Sequence, residues 1–104
     1  MKVYLDDVRT PPDDTWTVVR TAEKAIEILK TGKVDAMSFD HDLGEGKKSG
    51  YDVLVWIEKE VFKKKMNPPL MLTHTQNPVG KEKMESAMIK IWEIAIGRDA
   101  EGRL

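Results

Sequence analysis

The sequence contains no cysteine. A disulfide framework, a zinc–thiolate centre and a cysteine nucleophile are therefore excluded. It also lacks any apolar run near the about 18 residues that a membrane-spanning helix requires. The opening Met1-Lys2-Val3-Tyr4-Leu5-Asp6 has no long apolar core of the signal-peptide kind. These absences point to a soluble, cytoplasmic protein with no membrane partner. An excess of either charge is missing too: 17 Lys and Arg stand against 18 Asp and Glu, a net charge of −1. Bulk DNA binding and membrane-surface binding both rest on a strong basic excess, so neither is expected. No internal repeat or low-complexity tract is visible. What remains is a chain of 104 residues, 40% hydrophobic and 34% charged, with the size and composition of one globular domain.

The apolar pattern divides the chain into alternating elements. Lys2 to Leu5 is a short apolar run that stops at Asp6-Asp7 and reads as a buried strand. Val8 to Asp14 holds Pro11 and Pro12 and is a loop. Trp16 to Arg20 is β-branched and aromatic, a second strand. Thr21 is a helix N-cap, Ala22, Ala25, Ile26 and Leu29 follow at helical spacing, and Gly32 ends the helix. Val34 to Phe39 is a third strand ending in Asp40-His41-Asp42. Ser49 and Asp52 form a capping pattern that starts a helix at Gly50. Val53, Leu54, Ile57, Val61 and Phe62 give it a core face, and Lys63-Lys64-Lys65 closes it. Leu70 to Thr73 is a fourth strand. Asn77-Pro78 begins a last helix with a stripe of Met84, Ala87, Met88, Ile91 and Ala95. Residues 1–96 thus form one domain, and 97–104 a polar tail. Strands alternating with helices predict a mostly parallel four-stranded sheet covered on both faces, a three-layer α/β sandwich.

In such sheets the ligand sits beyond the carboxyl ends of the strands. There the sequence places Asp6, Asp7 and Arg9 after strand one, Asp40, His41 and Asp42 after strand three, and His74 and Thr75 after strand four. Carboxylates brought together repel one another unless a cation neutralises them. Asp6, Asp7, Asp40 and Asp42 are candidate ligands for Mg²⁺, or for Mn²⁺ if a histidine joins. Arg9 offers a bidentate clamp for a phosphate, with Thr75 beside it. His41 and His74 are candidates for general acid and base work. Each group also has a purely structural reading. Acidic pairs are common turn formers, His41 suits an exposed loop, His74 suits a hydrogen-bonded core position, and Thr75 suits a helix cap. Gly44 to Gly50 sits between strand and helix like a phosphate loop, but it lacks the Gly-Lys-Ser/Thr spacing of a Walker site. A flexible lid is the better reading of it. Trp16, Trp56 and Trp92 read as core or interface anchors, and Trp92 with Ile94 marks a possible homodimer surface.

These blocks resemble a known group. Asp6-Asp7, Asp40 and Thr73/Thr75 resemble the site of response-regulator receiver domains, which have a flavodoxin-like fold. By that resemblance Asp40 is the phosphoacceptor, although Asp42 has the more usual distance to Gly50. Leu5-Asp6-Asp7-Val8-Arg9 with Pro11-Pro12, Phe39 to Gly44 and His74 to Gly80 resemble more closely the cyclic-phosphate-processing receiver domains. This implies a receiver-like sheet whose first helix is replaced by a loop and whose fifth strand, with its lysine, is absent. The departures weigh against a phosphoryl switch. The resemblance implies processing of cyclic phosphate esters, for example on nucleotides or RNA ends, and the groups converging at the strand ends make a metal-dependent phosphoesterase the expectation. Asp40, His41, His74 and Arg9 would be its catalytic groups. A signalling receiver phosphorylated on Asp40, and a non-catalytic module that binds a nucleotide or protein, are the alternatives.

Overall fold

The computed structural model describes residues 1–101. In chain order it holds β1 (Lys2–Leu5), β2 (Trp16–Val19), α1 (Ala22–Leu29), β3 (Ala36–Phe39), α2 (Gly50–Phe62), β4 (Leu70–Thr73) and α3 (Pro78–Glu101). The four strands form one sheet in the order β2-β1-β3-β4, and every pairing is parallel. This is the parallel sheet that the alternating pattern implied, in the receiver-like arrangement that the resemblance implied. The third strand begins at Ala36 rather than Val34; Val34 is half-buried and packs against the core without joining the ladder.

The helices begin where side-chain oxygens meet orphan backbone donors. Thr21 Oγ1 accepts the Lys24 N–H at 3.1 Å. Ser49 Oγ accepts the Asp52 N–H, and the Asp52 carboxylate accepts the Ser49 N–H at 2.7 Å, a complete capping box. Asn77 Oδ1 accepts the Gly80 N–H at 3.1 Å, with Pro78 in the first helical position.

Strand residues alternate between the two faces of a sheet. Val3, Leu5, Met37, Phe39 and Met71 point one way, into a core that also contains Ala22, Ala25 and Leu29 of α1, Val53, Leu54, Ile57 and Val61 of α2, and Met84, Met88 and Ile91 of α3. All three helices therefore lie on one face. The second covered face of the expected sandwich is not built from a helix among the described residues. Its residues are Lys2, Tyr4, Trp16, Val18, Ala36, Ser38, Leu70 and Leu72, and the last two are exposed. The physical reason is the loop between β1 and β2. It takes the place of the one crossover helix that would run from β1 toward β2, away from the other connections.

Three further expectations are corrected. Phe62 is 73% exposed, because it lies about 100° around the helix from Val61 and falls off the stripe made by Val53, Leu54 and Ile57. Ile94 is half-buried and packs against the core, so it does not extend the exposed surface at Trp92. The tail expected from Gly97 continues as helix to Glu101, and residues 102–104 lie outside the described residues. Arg98 anchors that extension: its guanidinium donates to the carbonyl oxygens of Met66, at 2.9 Å, and Val61. No described helix is long and apolar enough to cross a membrane.

The two faces of α2 should respond differently to truncation. Leu54→Ala is expected to lower unfolding free energy by about 2–5 kcal/mol, since Leu54 is fully buried. Phe62→Ala should cost less than about 1 kcal/mol. Urea denaturation of both variants checks the assignment.

Candidate active site at the carboxyl rim

The parallel register aligns three strand ends. Leu5 is opposite Phe39, and Phe39 is opposite Thr73. The next residues, Asp6, Asp40 and His74, therefore stand in a row. Their amides continue the ladder: Asp40 N–H donates to Leu5 O at 2.9 Å and His74 N–H to Phe39 O at 3.0 Å. By alternation these three side chains belong to the face without helices, and Asp7 and His41 to the helical side.

Asp6, Asp7 and Asp40 converge, with one carboxylate oxygen of each within 4.8 Å of the others. Asp6 is fully buried, Asp40 nearly so, and Asp7 half-buried. Burial pushes the Asp6 carboxyl up, but the net direction is down. The Arg9 and Val8 amides donate to its Oδ1 at 2.8 and 3.0 Å, and the His74 ring meets its Oδ2 at 3.0 Å. These bonds favour the charged form and outweigh desolvation. Asp40 Oδ1 accepts the His41 N–H at 2.8 Å. The Arg9 guanidinium lies 4.0 Å from Asp6 and also donates to the His74 carbonyl.

The two histidines sit in unlike surroundings. His74 stacks on Tyr4 with ring centroids 4.1 Å apart and planes within 9°. Its Nδ1 meets Ser38 Oγ at 2.8 Å and its Nε2 meets Asp6, so both ring nitrogens face protein groups. His41 bonds through Nδ1 to Asp42 at 3.0 Å, and its Nε2 has no partner among the described residues. Asp42 is exposed and stands outside the acidic trio. It is directed to His41 and to the Asn77 amide at 3.2 Å, and these two donors hold its carboxyl below the usual range. Thr75 is buried, and its hydroxyl oxygen accepts the Asn77 N–H at 3.2 Å, shaping the loop before α3. The Gly44 to Lys48 loop is exposed and turns on a Lys47 N–H to Gly44 O bond.

Several contributors escaped the sequence reading. Arg20 donates to the carbonyl oxygens of Asp6 at 3.1 Å and Arg9 at 2.6 Å, tying the proline loop to the rim. Its signal was a lone cation immediately after β2. Ser38 is a small polar residue within an apolar strand. Gly50 and Gly80 are packing glycines. A Cβ on Gly50 would lie 1.9 Å from the Asp40 carbonyl oxygen, and one on Gly80 would lie 2.6 Å from the His41 ring. The first turns of α2 and α3 therefore press directly on the Asp40–His41 pair.

An all-oxygen trio of carboxylates, two of them buried, has the hard-donor character that suits Mg²⁺ or Mn²⁺. The Arg9 guanidinium stands beside it, and His41, the residue after Asp40, keeps one ring nitrogen without a partner among the described residues. Parallel strands in this order, carrying an acidic cluster on the ends of β1 and β3, define a receiver-like domain. The chain belongs to the family described as the cyclic-phosphate processing receiver domain, whose model matches residues 1–90. No curated protein and no solved structure matches it.

One substitution should have opposite effects at two places in α3. Gly80→Ala forces the His41 ring aside and is expected to destabilise by about 1–3 kcal/mol. Gly97→Ala meets open space and should stabilise by about 0.5–1 kcal/mol through helix propensity. Thermal and urea unfolding of the two variants tests this.

Proposed function

We propose that the chain is a metal-dependent phosphoesterase that opens a cyclic phosphate ester on a nucleotide or an RNA end. The observation that carries this reading is the convergence of Asp6, Asp7 and Asp40 next to Arg9, together with a histidine that keeps an open ring nitrogen. The family description supports the substrate chemistry.

Asp6, Asp7 and Asp40 would hold Mg²⁺ or Mn²⁺. When bound, the ion supplies Lewis-acid polarisation of a phosphoryl oxygen and makes water a better nucleophile. Arg9 pairs with the phosphoryl oxygens and offsets the charge that builds on them. His41 carries the proton. Asp42 takes the Nδ1 side and leaves Nε2 open. Water attacks phosphorus while Nε2 accepts its proton, and the same proton passes to the departing ribose oxygen. One phosphorus–oxygen bond forms and one breaks, so the ring opens by net addition of water to give a phosphomonoester. His74 has both nitrogens engaged and serves Asp6 rather than the substrate.

The test is hydrolysis of 2′,3′-cyclic nucleotides by the purified chain with Mg²⁺ or Mn²⁺, followed by phosphorus NMR. Asp40→Ala should abolish turnover, and His41→Ala should lower it by about 100-fold or more. Unchanged hydrolysis by Asp40→Ala would overturn the reading. A stable gain of one phosphoryl group on Asp40 from acetyl phosphate would establish a signalling receiver instead. Binding of cyclic nucleotides without turnover would establish a non-catalytic module.

A further inference from the structure

Ser38 and Tyr4 lie on the face of the sheet that no helix among the described residues covers, one strand apart and paired in register. Neither has a role in the chemistry above. Both touch His74, and His74 touches Asp6. We propose that Tyr4, Ser38 and His74 act as one positioning unit that sets the orientation of the Asp6 carboxylate. This rests on the reading of Asp6 as part of the cation and phosphate site.

Asp6 is pinned from two sides. The Val8 and Arg9 amides fix Oδ1, and His74 Nε2 fixes Oδ2. The second contact is attractive only if Nε2 carries a proton, because a bare ring nitrogen facing a carboxylate oxygen places lone pair against lone pair. Ser38 secures that arrangement. With the ring neutral, the Ser38 hydroxyl donates to Nδ1, and the single ring proton stays on Nε2. With the ring charged, Ser38 accepts from Nδ1 and Nε2 is protonated as well. The one form the site disfavours is the neutral ring with its proton on Nδ1. Tyr4 fixes the remaining freedom: parallel stacking holds the imidazole plane, so Nε2 cannot swing away from Oδ2. Hydrogen-bonded partners behind a ligand commonly alter metal affinity by about 10–100-fold. His74, Ser38 and Tyr4 are thus positioning residues, and the two histidines of the chain do different work.

The experiment uses the full chain with ¹⁵N-labelled histidine. Long-range proton–nitrogen NMR, recorded without metal, should show His74 with a protonated Nε2 in the wild type. Ser38→Ala should shift its ring nitrogens, and Ser38→Thr, which keeps a hydroxyl, should restore them. Calorimetric Mn²⁺ binding then separates positioning from packing. His74→Gln places an amide donor near the Nε2 position, and His74→Asn reaches only toward Nδ1. Mn²⁺ affinity should stay close to wild type in the Gln variant and fall by about tenfold in the Asn variant. An unprotonated Nε2, or equal losses in the Gln and Asn variants, overturns the proposal. If the wild type binds no Mn²⁺, the phosphoesterase reading falls, while the NMR measurement alone still decides the His74 arrangement.

Discussion

Like charge at the aligned ends of parallel strands is the constraint on which this molecule turns. The register that pairs Leu5 with Phe39 leaves Asp6 and Asp40 no choice but to stand together, and Asp7 joins them. Such a cluster opposes folding unless its charges are met. Much of the surrounding chain does this. The loop after β1 turns back so that two of its amides reach Asp6, Arg9 lies alongside, and Arg20 clamps the loop by its carbonyl oxygens. The proline-containing loop thus meets part of the Asp6 charge as well as joining β1 to β2.

The rim has two sides with separate jobs. On the helical side, Gly50 and Gly80 let α2 and α3 approach until backbone and ring touch at Asp40 and His41. On the other side, Tyr4, Ser38 and His74 line up beneath Asp6. The acidic trio lies between them, so a shift of either layer changes its geometry. The helix side is held by a continuous apolar core, and the other by hydrogen bonds and one aromatic stack. Directional contacts hold geometry well, but they lose their effect once a single partner is removed.

Much of this was readable before any coordinates. The caps at Thr21, Ser49 and Asn77 depend on neighbours three residues away, so local pattern reveals them. The acidic strand ends were readable because apolar runs stop abruptly at Asp6 and Asp40. The parallel order then followed from alternation of strands and helices. What local pattern could not show depends on register and on close approach between distant elements. The double engagement of His74 requires Ser38 and Asp6 on two other strands. Asp42 belonged by spacing with the other acids, yet two residues beyond Asp40 its carboxylate is directed to His41 and Asn77. The same holds for Phe62, which is apolar and adjacent to the helical stripe but displaced around the axis. The single-sided cover of the sheet was hidden because each helix's apolar stripe names no face. The polar tail was expected from Gly97, yet Arg98 finds its partners across the structure and the helix runs on to Glu101.

The strand pairings also bear on how fast the chain folds. No two neighbouring strands form a hairpin: Lys2 pairs with Trp16 and with Ala36, and Ala36 pairs with Leu70, separations of 14, 34 and 34 residues. Every ladder therefore requires a long loop to close before any of its bonds form, which slows folding relative to chains with local contacts. Asp6 and Asp40 first meet when β1 finds β3, and His74 reaches Asp6 only when β4 has docked. The rim is complete only when both pairings, β1 with β3 and β3 with β4, are in place.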